Sequence, residues 1–371
     1  MNSLNLHDRP FHLQRRNYTV MTSQTQKAIV IQAPKVAELV TDRPLPTLRD
    51  DYILVETVAV ALNPTDWKAI EFRSNSPGAL VGCDYAGIVR EVGKAVTKPF
   101  KKGDRICGFV HGSNDMQHED GTFAEYIVVK GDLQIRIPDW LSFEEAATLG
   151  LGVATVGQGL YQALKLPLPS APSKEKIPIL IYGGSSASGV LGIQFATLSG
   201  YAPITTCSPH NFAMLKSLGA AAVFDYKDPD SVAKIREFAN NNLKFAWDTI
   251  SSESSAKFCA DALSSTGGKY AALLDIRAPR DDIDSCWTIA YTIFGEQFTW
   301  PPASIPAVAE DYEFGKKWGD VVSKLLLDSK IKAHKQRVGK DGLKGVLEGL
   351  QLLRENKVSG EKLVYRVGET P

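Results

Sequence analysis

Ile179-Leu180-Ile181-Tyr182-Gly183-Gly184-Ser185-Ser186-Ala187-Ser188-Gly189 runs from an apolar segment into a Gly/Ser turn, and Val190-Leu191-Gly192-Ile193-Gln194-Phe195-Ala196 follows with helical spacing. An apolar strand ending in such a turn presents the first turn of a helix, where unpaired N–H groups and the helix dipole favour a pyrophosphate. The stretch therefore predicts a dinucleotide site on a parallel α/β sheet. Ser186 and Ala187 stand where the usual fingerprint has glycines, so the glycines alone carry little and the turn, helix and following strand carry the reading together.

That following strand, Pro203-Ile204-Thr205-Thr206-Cys207, ends in Ser208-Pro209-His210-Asn211. NAD-binding units end their second strand in a carboxylate that holds the ribose hydroxyls, and here none occurs before Asp225. Hydroxyl, imidazole and amide groups suit a 2′-phosphate, which predicts NADPH.

The chain has 371 residues, 44% hydrophobic and 23% charged, enough for two domains with full cores. Lys plus Arg and Asp plus Glu are both 42, so no net field draws in nucleic acid or an anionic membrane. No apolar run has the length of a membrane span. Five scattered cysteines form neither a disulfide framework nor a C-x-x-C zinc lobe, which fits a reducing, cytoplasmic compartment. Arg9, Arg15 and Arg16 precede a second methionine, Met21, without a sustained amphipathic period; a disordered tail over residues 1–24 is the expectation, with a presequence as the alternative.

From Lys27 to about Pro138 short β-rich runs alternate with Gly, Pro and Asp turns, predicting a compact antiparallel barrel with one helix near Asp66 to Phe72. Ser142 and Glu145 form a capping box that opens the next helix. Strand-like runs then recur at 179–182, 203–207, 221–224, 245–247 and 269–274 with helical spacing between them, which predicts a doubly wound parallel sheet. Helices at 311–327 and 341–355 precede a last strand, 362–367, expected to return to the barrel.

Gly82-Cys83-Asp84-Tyr85-Ala86-Gly87, Gly103-Asp104-Arg105-Ile106-Cys107-Gly108, Gly121-Thr122-Phe123-Ala124-Glu125-Tyr126 and Gly360-Glu361-Lys362-Leu363-Val364 resemble the medium-chain dehydrogenase/reductase superfamily. The resemblance implies an α/β architecture of a GroES-like β-barrel catalytic domain, 25–154 and 312–371, plus a Rossmann NADPH-binding domain, 155–311. Zinc members carry Gly-His-Glu where this chain has Gly82-Cys83-Asp84, and a ligand Cys where it has Asn63. It therefore resembles the zinc-free branch, with no metal expected; Cys83 alone lacks the companions a zinc site needs.

Within that branch, Asn63-Pro64-Thr65-Asp66-Trp67-Lys68, Cys207-Ser208-Pro209-His210-Asn211, Phe224-Asp225-Tyr226, Thr292-Ile293-Phe294-Gly295-Glu296, Leu166-Pro167-Leu168-Pro169-Ser170 and Asn240-Asn241-Asn242-Leu243 resemble trans-acting enoyl reductases of fungal polyketide biosynthesis. That family implies NADPH-dependent 1,4-reduction of an α,β-unsaturated acyl thioester carried by the acyl carrier domain of a polyketide synthase; a free-standing enone or quinone reductase is the alternative. By the same resemblance Thr65, Asp66, Trp67 and Lys68 face the nicotinamide, and Ser185, Ser186, Ala187 and Ser188 the pyrophosphate. Ser208, Pro209, His210, Asn211 and Tyr226 face the 2′-phosphate. Leu273, Leu274, Val358 and Ser359 close over the nicotinamide by backbone contacts, while Thr155 with Thr292, Ile293, Phe294, Gly295 and Glu296 lines the acyl pocket. Lys68 and Thr155 are the catalytic candidates. Lys68 reads as a group for cofactor or oxyanion, or as a solvated lysine. His111 and His118 are expected to be exposed, Trp67 and Tyr126 to pack in the barrel, and Lys94, Lys98, Lys101 and Lys102 to form a solvated face or meet an acidic carrier. A monomer is expected.

Overall fold

The computed structural model describes residues 24–73 and 76–371. The tail expected over residues 1–24 lies outside the described residues, Gln24 excepted.

In the first half, β1 (Thr25–Ala33) and β2 (Val36–Pro44) form an antiparallel hairpin. The barrel strands follow as β3 (Tyr52–Ala61), β4 (Asp84–Val92), β5 (Arg105–Phe109), β6 (Tyr126–Lys130) and β7 (Ile135–Arg136), with helix α1 (Pro64–Phe72) between β3 and β4. Their inward positions, including Ile53, Val55, Tyr85, Val89, Ile106 and Ile127, make one fully buried cluster. Helices α2 (Phe143–Ala146) and α3 (Gly150–Val156) lead out of the barrel. The Ser142 hydroxyl accepts the Glu145 N–H at 3.2 Å and the Glu145 carboxylate accepts the Ser142 N–H at 3.0 Å, so the capping box forms. Helix α3 continues in a π-helical turn over Gly157–Ala163.

The second half alternates β8 (Pro178–Tyr182), α4 (Ala187–Leu198), β9 (Ala202–Cys207), α5 (Phe212–Ser217), β10 (Ala222–Asp225), α6 (Ser231–Phe238), β11 (Phe245–Asp248), α7 (Glu253–Ala262), β12 (Gly268–Ala272) and β13 (Ile283–Trp287). These strands form a six-stranded parallel sheet in the order β10-β9-β8-β11-β12-β13, the doubly wound arrangement. Ile179, Leu180 and Ile181 are all fully buried, as a strand covered on both faces requires. Strand β13 was not expected, because Asp284 and Ser285 break its apolar run; as an edge strand it has only β12 to satisfy. Nor was the hairpin of β14 (Phe298–Trp300) and β15 (Ala303–Ile305), whose sequence reads as a polar stretch although Phe298 is buried.

Helix α8 (Ala309–Leu327) inserts Trp318, Val322 and Leu326 into the core shared with α3, β8 and α4, and the Trp318 Nε1–H donates to the Val153 carbonyl at 2.9 Å. The chain then returns to the barrel through β16 (Gln336–Val338), α9 (Gly342–Arg354) and β17 (Lys362–Arg366), with β17 antiparallel to β3. That return carries Ser359 and Lys362 to the junction of the two halves.

Candidate active site

The turn after β8 is shaped for close approach. Gly183 has φ +80°, and a Cβ on Gly184 would stand 2.0 Å from Thr205 Oγ1. Ser186 caps α4 by accepting the Gly189 N–H at 2.9 Å, and its hydroxyl pairs with Thr249 Oγ1 at 2.9 Å across the point where strand order reverses. The N–H groups of Ala187 and Ser188 open the helix and have no intrahelical acceptor. This cradle fits a pyrophosphate. His334, which sequence reasoning missed, is buried behind it: its ring faces the Ser185 backbone and the Lys335 carbonyl, and burial pushes it down to about 4. A lone histidine with no spacing partner gave no signal.

At the next two strand ends, Asp225 pairs with Cys207 in the sheet, so Tyr226 and Ser208 leave it side by side. Tyr226 is 41% exposed and Ser208 half-buried, with Pro209 and His210 on the surface and Asn211 buried. Ser359 Oγ lies 3.2 Å from His210 Nε2 and accepts from Asn211 Nδ2 at 3.3 Å. The structure thus groups Ser359 with the residues expected at the 2′-phosphate rather than with those expected at the nicotinamide. Val358 packs against the barrel cluster. Leu273 spends its N–H on Ser251 Oγ at 2.8 Å, and Leu274 is exposed.

On the barrel side, the position occupied by metal ligands in the zinc branch holds a buried polar network. Asp84 is fully buried; its Oδ1 accepts the Leu151 N–H at 2.6 Å, and its Oδ2 accepts Asn63 Nδ2 at 2.9 Å and the Lys362 ammonium. Lys362 also reaches the Thr148 carbonyl at 3.3 Å. Among the described residues no three His, Cys, Asp or Glu side chains come together as a metal-ligand group. Asp66 accepts the Asn63 N–H at 2.7 Å, and burial pushes its carboxyl up to about 7. Beside the buried Cys83 thiol its other oxygen finds no well-formed hydrogen bond among the described residues, and its role at the start of α1 is that of a capping residue. Trp67 packs against the barrel cluster as expected.

Two cations lie along α1. Lys68 is half-buried, has no ion pair among the described residues, and is lowered by burial and then by the nearby Arg73 charge. Arg73, also missed, turns back over the helix: its Nη2 donates to the Thr65 carbonyl at 2.8 Å and to Thr65 Oγ1 at 2.5 Å. Thr65 Oγ1 in turn meets the Tyr291 hydroxyl at 2.8 Å. His111 departs from the expected exposure. It is half-buried, its ring 4.1 Å from that of Tyr291, and burial pushes it down to about 3.

The expected acyl lining divides. Ile293 and Phe294 join Cys83, Phe109, Ala154, Tyr291 and Phe298 in one apolar cluster. Beside it a cavity of about 30 Å³ is lined by Phe109, Leu133, Ala154, Ile293, Phe294 and Trp318, room for a water molecule or two and not for an acyl chain. Thr155 lies one residue beyond Ala154, with its hydroxyl donating to the Leu151 carbonyl at 2.7 Å. Thr292 Oγ1 accepts Gln158 Nε2 at 2.9 Å and bonds Asp311. Gly295 and Glu296 pack on other elements. Gly295 has φ +63° and its Cβ direction meets Tyr312 at 2.8 Å, while Glu296 accepts from Lys130 Nζ at 2.5 Å and from the Tyr52 hydroxyl at 3.0 Å. These two fasten the segment to the barrel and α8. Lys98 is not part of a free basic face either, since its ammonium bonds Asp320 at 2.8 Å.

Residues 49–139 match the alcohol dehydrogenase GroES-like domain. The chain is 55% identical over 357 residues to the trans-enoyl reductase resD of Aspergillus sclerotiorum, covering 92% of this chain and 100% of that one. It is 62% identical over 274 residues to the trans-enoyl reductase TOXD of Cochliobolus carbonum, covering 74% of this chain and 92% of that one. The quinone oxidoreductase from Coxiella burnetii superposes with a TM-score of 0.70 at 26% identity, over 93% of this chain and all of that one. With a GroES-like barrel half joined to one dinucleotide-fold half and relatives of that likeness along nearly its whole described length, the chain belongs to the trans-enoyl reductase family of the medium-chain dehydrogenase/reductases.

Proposed function

We propose that this chain is a trans-acting enoyl reductase that uses NADPH to reduce the carbon–carbon double bond of an α,β-unsaturated acyl thioester, held on the carrier domain of a polyketide synthase. The observation that carries the reading is the likeness to trans-enoyl reductases over 92% of the chain, on a fold whose phosphate turn and helix N-terminus fit a dinucleotide. When bound, the nicotinamide supplies a hydride. The N–H groups of Ala187 and Ser188 with Ser185 and Ser186 hold the pyrophosphate, and Ser208, His210, Asn211, Tyr226 and Ser359 recognise the 2′-phosphate through hydroxyl, imidazole and amide groups. Thr65 and Lys68 orient the nicotinamide side, and Thr155 with Phe294 borders the acyl group. The buried Asn63, Asp84 and Lys362 network leaves the old ligand positions without a metal role. In this reading the protein acts in the cytoplasm as a monomer. Separately, no helix of the described residues is long and apolar enough to cross a membrane.

A free-standing enone or quinone reductase is the competing reading, favoured by the small cavity beside Phe294. Turnover with an enoyl-pantetheine thioester is measured against a simple quinone, and then with the enoyl group on an isolated carrier domain. A higher kcat/KM for the carrier-bound thioester supports the proposal; a preference for the quinone selects the alternative.

A further inference from the structure

We propose, on the functional reading above, that Arg73 binds the thioester oxygen of the substrate and stabilises the enolate that forms there. Its guanidinium lies where the elements of both halves meet. One N–H group, Nη2, is engaged by Thr65, whose hydroxyl is bonded to Tyr291. The guanidinium carbon sits 4.5 Å from the Trp300 ring centre and 5.7 Å from that of Tyr291. Stacking on aromatic faces fixes the plane of an arginine and leaves its edge for an acceptor. Among the described residues Arg73 makes no ion pair, and only its Nη2 is hydrogen-bonded, to Thr65. A half-buried arginine whose Nε and Nη1 groups meet no acceptor among the described residues can turn one of them to an oxygen that carries charge part of the time.

The place fits the chemistry. Thr65 stands at the start of the helix that also carries Lys68, and Tyr291 precedes the Thr292 to Phe294 segment of the apolar cluster. Addition of a hydride to the β-carbon moves the double-bond electron pair so that the α-carbon, carbonyl carbon and oxygen form an enolate. Arg73 donates one N–H bond, from Nε or Nη1, to that oxygen, and protonation of the α-carbon from solvent returns the electron pair to a C–H bond and restores the carbonyl. Charge on the oxygen is greater in the enolate than in the bound thioester, so the guanidinium favours the transition state over the ground state.

The test uses acetoacetyl-pantetheine, a β-keto thioester that ionises to an enolate with its own ultraviolet band, in the absence of cofactor. The wild-type protein is expected to bind that enolate with at least a tenfold gain over Arg73→Met, seen as growth of the band at neutral pH, with Arg73→Lys intermediate and Lys68→Met retaining the gain. In turnover, Arg73→Met is expected to lower kcat on the enoyl thioester about 100-fold, with NADPH affinity within twofold of wild type by fluorescence titration. Equal enolate bands in wild type and Arg73→Met, or a loss that appears in NADPH affinity with kcat unchanged, overturns the proposal. Failure of the wild type to reduce enoyl thioesters is a failure of the functional reading alone; the Arg73 ratio is then measured on the enone or quinone it does reduce, whose oxygen gains the same charge.

Discussion

Replacing Lys362 by Met separates the two roles a buried ion pair can have. In the native protein Asp84 is 0% exposed and receives three donors, of which Lys362 is the only cation. Methionine keeps most of the side-chain volume and removes the charge, leaving a carboxylate buried on two neutral donors. Removing one partner of a buried pair costs roughly 3–5 kcal/mol. For a chain of this size each kcal/mol lowers Tm by about 2 °C, so a fall of roughly 6–10 °C is expected. Differential scanning fluorimetry of Lys362→Met measures it. The double variant Asp84→Asn with Lys362→Met, which removes both charges and keeps an acceptor for the Leu151 N–H, is expected to recover at least half of the loss. A Tm within 2 °C of wild type for Lys362→Met, or no recovery in the double variant, would refute the view that this network took the place of metal ligation.

Three further outcomes follow from other parts of the site. Ser208→Asp puts a carboxylate beside the position read as the 2′-phosphate and is expected to weaken NADPH by about tenfold or more while sparing NADH, by fluorescence titration; equal losses for both cofactors would count against the assignment. Asp66 is held at about 7 by burial. Between its ordinary value of about 3.9 and that point the folded protein binds a proton the unfolded chain does not, so stability falls as pH rises, by roughly 2–4 kcal/mol. Asp66→Asn removes this slope, and its Tm relative to wild type is expected to rise from about pH 5 to about pH 8; a constant difference would contradict it. Elemental analysis of protein purified without added metal is expected to find no stoichiometric zinc, because Asn63 and Asp84 are already committed to each other and to Lys362.

The two-domain order was legible because its signals are local and periodic: apolar strands, glycine turns and the Ser142 to Glu145 cap each depend on residues close in sequence. The phosphate turn was legible for the same reason. What escaped were features made by distant segments. Arg73 reads as an ordinary helix-end cation until its side chain is seen folded back on Thr65 beneath Trp300. Glu296 belongs to a motif shared with the enoyl reductases, which implied a pocket, yet Lys130 and Tyr52 from the barrel claim its carboxylate. Gly295 likewise earned its place by a left-handed turn packed on Tyr312. His111 sits in a polar loop by composition, but the loop lays its ring on aromatic residues far along the chain.

The central claim is tested most directly by presenting an α,β-unsaturated acyl group on a carrier domain to the purified protein with NADPH deuterated at C4 of the nicotinamide, and reading the product by mass spectrometry and NMR. The account predicts one deuterium at the β-carbon, one solvent proton at the α-carbon and an intact thioester. Label at the carbonyl carbon, or a double bond left unreduced while the same preparation turns over a quinone, would contradict it.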